Sequence, residues 1–176
     1  MFVQEQYLDL VTELKLSKAI EQQLCSFMDG FHSVIPHGII SIFNEYELEL
    51  LMSGLPQIDI DDWERHTNYV GYTADSEQIK WFWEFVRSLD QETAAQLLQF
   101  TSGSARVPLG GFAALRGVQG IRHFSIGVAT EADDGSLPTA NTCFNSMKLP
   151  AYSSKEVLAK RLLVAIKHGR EGFVFA

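Results

Sequence analysis

The sequence is short of cysteine, of basic charge and of long apolar runs, and each shortage removes a class of function. Only Cys25 and Cys143 occur in 176 residues, so the dense bridge framework of a small secreted scaffold is excluded and both are read as thiols. Lys and Arg number 14 against 22 Asp and Glu, a formal charge of −8 with no Lys/Arg block to offset it. A nucleic-acid backbone would find no electrostatic footprint, so no such partner is expected. Uninterrupted apolar stretches are a few residues long, far below the roughly 18 to 20 needed to cross a bilayer. The N-terminus carries no basic-then-apolar signal pattern. The reading is a soluble intracellular chain, cytoplasmic or nuclear, with no membrane partner.

Two common kinds of site are also missing. Zinc needs clustered ligands, and the histidines at 32, 37, 66, 123 and 168 have neither short pairing nor a nearby cysteine pair, so no metal is assigned. Gly103, Gly110 and Gly111 are followed by neither Lys-Ser/Thr nor a clear helix start, which argues against a phosphate loop. No repeat of 20 to 50 residues and no low-complexity tract is present.

What remains is a globular balance, 46% apolar and 20% charged, enough for one ordinary domain or two small ones. Tyr7, Val11 and Leu14 fall at helical spacing. A second helix from about Ser17 carries Ile20, Leu24, Phe27, Met28 and Phe31 on one stripe. A break is expected from Gly30 to Gly38, with Pro36 inside it. Asn44 and Glu47 then form a capping pair ahead of a short helix ending at Gly54. Gly54-Leu55-Pro56 is read as a joint.

Beyond that joint, Asp59, Asp61 and Asp62 suit a helix N-terminus and are read as structural, with a loop containing Gly71 after them. Ile79, Phe82, Trp83 and Val86 define a helix over 77–89, and Asp90 caps another running to Phe100. The Trp81-Phe82-Trp83 run is assigned mostly to the core. After Ser102-Gly103 the pattern becomes turn-rich, and Phe124, Ile126 and Val128 alternate as in a strand. An acidic loop over 131–136 follows. Cys143, Asn145, Met147 and Leu149 are predicted on one face of a strand running toward Pro150, which puts Cys143 at a loop-to-strand junction. Ser153 and Glu156 form a capping-box pattern before a last helix with Leu158, Leu162, Ala165 and Ile166 on one face, ending near Gly169. Helices, then strands, then a helix imply an α+β fold.

Cys25 lies on an amphipathic helix between apolar positions and is read as packing. Cys143 follows the polar segment Leu137-Pro138-Thr139-Ala140-Asn141-Thr142. A lone cysteine is more often a small buried hydrophobe than a nucleophile, so local context does not make it catalytic. A papain-like hydrolase would need a dedicated histidine partner, and none can be nominated.

Thr142-Cys143-Phe144-Asn145 after Leu137-Pro138, with Leu149-Pro150-Ala151-Tyr152 behind it and the cysteine close to the C-terminus, resembles the active-site segment of HECT-type ubiquitin ligases. The stretches Tyr46-Glu47-Leu48-Glu49-Leu50-Leu51, Asp61-Asp62-Trp63, Trp81-Phe82-Trp83, Leu97-Leu98-Gln99-Phe100, Arg106-Val107-Pro108 and Gly111-Phe112 agree in the same order. Gly111-Phe112-Ala113-Ala114-Leu115 and the Ala-ending tail are most similar to the large HUWE1/Tom1-like branch.

The resemblance implies the C-terminal part of a HECT domain. Residues 1–53 would be the helical end of its N-lobe, 54–57 an approximate hinge, and 58–176 a complete mixed α/β C-lobe. It implies that Cys143 accepts ubiquitin as a thioester from a conjugating enzyme and passes it to a substrate lysine, with no cofactor. The alternative is a truncated, transfer-inactive module that binds ubiquitin or a partner. Partners would be ubiquitin, a protein substrate, and a conjugating enzyme held weakly without the rest of the N-lobe. Tyr7 and Val11 fall where the family lines its conjugating-enzyme groove, or serve ordinary helix packing. Asn141 stands where the family commonly has histidine. It either shapes the loop or takes part in the chemistry, and Thr142 and Asn145 are open in the same way. Phe173 occupies the family's fourth-from-last aromatic position, a tail residue for lobe docking and lysine attack. Val174 and Phe175 depart from the usual Gly-containing tail, and the Ala176 carboxylate is a candidate to orient the lysine.

Overall fold

Helices come first and strands are interleaved later. The computed structural model describes residues 2–16 and 18–168. The order is α1 (Phe2–Leu16), α2 (Glu21–Val34), α3 (His37–Ile40), α4 (Glu45–Ser53), α5 (Ile60–Arg65), β1 (Thr67–Val70), α6 (Glu77–Arg87), α7 (Gln91–Ser102), β2 (Arg116–Gly117), β3 (Gly120–Ile121), β4 (Phe124–Ala129), β5 (Thr139–Asn141), β6 (Ser146–Pro150) and α8 (Lys155–His168). The fold class is α+β. The described chain divides into two compact units between Leu48 and Glu49, a division that falls inside α4.

In the first unit, a single 3-10 turn over Lys18–Ile20 precedes α2. The helix does not break at Gly30, as the sequence suggested, but runs on to Val34. Glycine weakens a helix by only about 1 kcal/mol, whereas the ring of Pro36 forces the residue before it out of the helical region. Ile35 accordingly turns extended, at φ −116° and ψ 103°. The expected pair at the start of α4 is present, with Glu47 N–H donating to Asn44 Oδ1 at 2.8 Å and Asn44 N–H to the Glu47 carboxylate at 3.0 Å.

The second unit is built on a sheet in the order β1-β4-β6-β5. β1 and β6 run parallel to the central β4, and β5 runs antiparallel to β6. Phe124 and Ile126 of β4 and Met147 and Leu149 of β6 are buried, joining Trp63, Phe82, Trp83, Leu97, Leu98, Leu158, Leu162 and Ile166 in one core. Trp63 stacks on Phe112 with centroids 5.0 Å apart and meets Trp83 and Phe124 edge-on. Full burial of each such side chain favours folding by about 1.5–3 kcal/mol.

Caps follow the sequence closely. Asp59 accepts from the backbone N–H groups of Asp61 and Asp62 at the start of α5, and Asp90 accepts from Thr93 at the start of α7. Ser153 is corrected: the residue that caps α8 is Ser154, whose oxygens accept from Val157 and Leu158. Ser153 instead donates its N–H to Asp134 of the acidic loop at 2.9 Å, a long-range demand that outcompetes the local pattern. The four-residue β1 lies between α5 and Gly71, where only a loop was expected. Leu55 and Val107 exchange backbone hydrogen bonds of 2.7 and 3.2 Å.

Candidate active site

Cys143 sits in a 3-10 turn, Thr142–Phe144, between β5 and β6. This corrects the expectation that Cys143 and Asn145 share a strand face with Met147 and Leu149. The strand begins only at Ser146, because Asn145 adopts a left-handed conformation, φ 48° and ψ 45°. Asparagine is one of the few side chains that tolerates that region. The kink turns the preceding residues away from the sheet, and Cys143 is exposed where a strand would alternate it into the core.

The turn is held on both sides. The Cys143 carbonyl accepts the N–H of Val118 at 3.1 Å, and the Thr142 carbonyl accepts the N–H of Asn145 at 3.3 Å. Asn145 is completely buried. Its Nδ2 donates to the carbonyls of Arg116 (2.9 Å) and Arg122 (2.7 Å), and its own carbonyl accepts from Ser125 of β4.

Beside the thiol is an open depression of about 170 Å³ lined by Gly117, Val118, Gln119, Ile121, Arg122, Cys143 and Phe144. The Arg122 guanidinium stands 5.8 Å from the centre of the Phe144 ring, a cation–π arrangement. No histidine lines this depression. The hairpin of β2 and β3 that forms its far wall was not anticipated. Two-residue strands carry no period, and the one signal was Gly117-Val118-Gln119-Gly120, a pair of glycines bracketing a tight turn.

The other site candidates are distributed as follows. Asn141 ends β5 and its side chain makes no capping hydrogen bond to the turn. Thr142 is half-buried and contributes its carbonyl. β5 is the terminal strand of the sheet, paired only with β6 among the described residues. Tyr7 and Val11 belong to α1 in the other unit, Tyr7 exposed and Val11 partly so. Phe173, Val174, Phe175 and Ala176 lie outside the described residues. Among the described residues no three His, Cys, Asp or Glu side chains gather to hold a metal ion, and no helix is long and apolar enough to cross a membrane.

The acidic loop that precedes β5 is laced by hydrogen bonds. The Ser136 hydroxyl donates to Asp133 at 3.0 Å, as do Gly135 N–H (2.9 Å) and Ser136 N–H (3.1 Å), and these bonds, the hydroxyl's first, hold its carboxyl below the ordinary range. Asp134 is held low likewise, chiefly by the Ser153 hydroxyl and N–H. Tyr152 donates to the Ser136 carbonyl at 2.8 Å.

Comparison with known proteins covers nearly the whole sequence. The family described as "HECT-domain (ubiquitin-transferase)" matches residues 4–176. The chain is 50% identical over 173 residues to the E3 ubiquitin-protein ligase HACE1 of Danio rerio, spanning 98% of this chain and 19% of that protein. It is 48% identical over 172 residues to HACE1 of Homo sapiens, with 97% and 19% spanned. To the probable E3 ubiquitin-protein ligase TOM1 of Eremothecium gossypii it is 50% identical over 173 residues, with 97% and 5% spanned. The chain therefore spans a fifth or less of the length of these curated relatives, and identity alone does not separate the HACE1 proteins from the TOM1 one. With the family match running from residue 4 to the last residue and relatives half-identical across the same stretch, the chain belongs to the HECT-domain family of ubiquitin transferases.

Proposed function

We propose that this chain is the C-terminal part of the catalytic domain of a HECT-type ubiquitin-protein ligase, and that Cys143 is the residue that carries ubiquitin. Residues 1–53 are assigned to the end of the N-lobe, 54–57 to the hinge and 58–176 to the C-lobe. The observation that carries the reading is an exposed thiol on a turn braced by hydrogen bonds, at the end of a sheet-edge strand and beside an open depression.

In the first step the Cys143 sulfur attacks the thioester carbonyl linking ubiquitin to the conjugating enzyme, and that enzyme's cysteine leaves as a thiolate. In the second, a substrate lysine amine attacks the new thioester, the amine gives up a proton, and Cys143 leaves. Sulfur suits both steps, as nucleophile and as leaving group, and no cofactor takes part. The edge of β5 away from β6, unpaired among the described residues, fits an extended ubiquitin tail added as a further strand leading to Cys143. Asn141, whose side chain is free of the turn, is a hydrogen-bonding group at that edge and not a proton shuttle. Phe173 is assigned to the second step. Tyr7 and Val11 are assigned to a partial groove for the conjugating enzyme, which would hold it weakly. Work in the cytoplasm or nucleus accords with two free cysteines.

The test is a charging assay with activating enzyme, conjugating enzyme, ubiquitin and ATP, comparing the chain with Cys143→Ser. A thiol-labile ubiquitin adduct that disappears in the variant is the expected result. An adduct that persists unchanged in the variant overturns the site. A folded chain that forms no adduct favours a transfer-inactive, ubiquitin-binding module.

A further inference from the structure

The β2–β3 hairpin and the Cys143 turn are fastened to each other by one side chain. Asn145 Nδ2 donates to the carbonyl that precedes the hairpin loop, Arg116 at 2.9 Å, and to the one that follows it, Arg122 at 2.7 Å. Both donors of the amide are therefore spent closing the base of a loop whose Val118 N–H holds the Cys143 carbonyl at 3.1 Å. The backbone of Asn145 is equally committed, to Thr142 on one side and Ser125 of β4 on the other. Its Oδ1 is buried with no hydrogen-bond partner among the described residues. A buried, half-satisfied amide in a left-handed conformation is a costly choice for a turn whose only task is to reverse the chain.

The hairpin sits close enough to the cysteine to leave no room for a side chain at Gly117. A Cβ on Gly117 would fall 2.6 Å from the Cys143 carbonyl oxygen, so only glycine fits without displacing that carbonyl. The two contacts act on the same residue from opposite ends: Gly117 and Val118 at the Cys143 carbonyl, Asn145 at the frame that carries both.

We propose that Asn145 is a positioning residue for the acyl transfer, acting through the 116–122 hairpin to fix the direction in which Cys143 presents its sulfur. This rests on the reading of Cys143 as the ubiquitin acceptor and adds to it the device that aims it. A thioester carbonyl at the end of a bound protein tail can be reached only along a narrow approach, so freeing the turn slows acyl transfer. A small alkylating reagent approaches an exposed sulfur from many directions and does not register the loss. Asn145→Gly removes the amide while relieving the left-handed backbone, which keeps the turn's own conformation accessible.

The experiment uses ubiquitin activated as a C-terminal thioester of a small thiol, which charges a cysteine without a conjugating enzyme: the Cys143 sulfur displaces the small thiol. In parallel, iodoacetamide labelling is followed on the Cys143 peptide by mass spectrometry, with exposed Cys25 as an internal reference. The expected result for Asn145→Gly is charging slowed at least about tenfold, with labelling of Cys143 within about twofold of the parent chain. Gly117→Ala, which perturbs the same carbonyl from the hairpin side, should give the same split, and it decides the matter if Asn145→Gly does not fold. Unchanged charging in a folded variant overturns the proposal. So does a parallel fall in charging and labelling, the mark of a merely structural role. Absence of charging in the parent chain would instead sink the acceptor role of Cys143 itself.

Discussion

The Asp62 carboxylate accepts the backbone N–H of Phe112 at 2.9 Å, joining α5 to a segment 50 residues further along the chain. The same oxygen lies 2.7 Å from where a Cβ on Gly111 would stand, and Gly111 has φ +73°. Phe112 in turn stacks on Trp63, the residue next to Asp62. One carboxylate thus sets the entry of the segment that leads to the β2–β3 hairpin.

Replacing Asp62 with alanine leaves the Phe112 N–H without its partner at the edge of the core, and the expected cost is about 1–3 kcal/mol. Gly111→Ala should be destabilising as well, from its positive φ and from the collision with Asp62. Denaturant midpoints of the two variants check this, and the double variant should cost less than the sum because both changes break the same bond. Full additivity would mean that the two residues act independently.

Much of this arrangement was legible in the sequence, and what was not has a common physical cause. The Asn44–Glu47 pair, the Asp90 cap and the buried stripe Leu158, Leu162, Ala165 and Ile166 are local or periodic features, and each is present. The hairpin at 116–121, paired locally but closed at its base by the Asn145 side chain, the edge strand β1 and the use of Ser153 all depend on partners far away in sequence. Thr67–Val70 becomes a strand because Phe124–Gly127 lies beside it. Ser153 turns to Asp134 and leaves the cap to Ser154. The candidate cysteine is singled out by resemblance to a family motif. The left-handed Asn145 that bends it out of the strand was invisible to a two-residue period.

Tyr152 makes a prediction at high pH. It is fully buried, and burial, partly offset by Arg161, pushes its hydroxyl up to about 12, against about 10 in an unfolded chain. The folded state therefore favours the neutral phenol. The stability this represents is complete below pH 10 and is lost as pH rises from about 10 toward 12, by up to about 2 kcal/mol. Tyr152→Phe should be somewhat less stable at pH 7, where it lacks the bond to Ser136. That deficit should shrink steadily above pH 10, as thermal or denaturant melts at a series of pH values would reveal. A constant deficit from pH 7 to 11.5 would show that the phenol ionises without regard to folding.

The indole N–H of Trp83 donates to the hydroxyl of Tyr69 at 2.8 Å, a hydrogen bond between α6 and the edge strand β1. Trp83 is almost wholly buried, Tyr69 only partly, so the two partners do not lose equally when the bond is broken. Tyr69→Phe keeps the ring but strands a buried N–H, and the expected cost is about 1–3 kcal/mol. Trp83→Phe removes the donor together with buried apolar volume, and the expected cost is about 2–4 kcal/mol, most of it packing. In the Trp83→Phe background there is no donor left to strand, and the Tyr69 hydroxyl retains access to water. Adding Tyr69→Phe there should therefore cost a few tenths of a kcal/mol at most, leaving a coupling of about 1 kcal/mol or more between the two sites. Equal costs for Tyr69→Phe in the two backgrounds would show that the Tyr69 hydroxyl contributes nothing through its bond to Trp83. β1 would then be held to α6 by apolar contact alone.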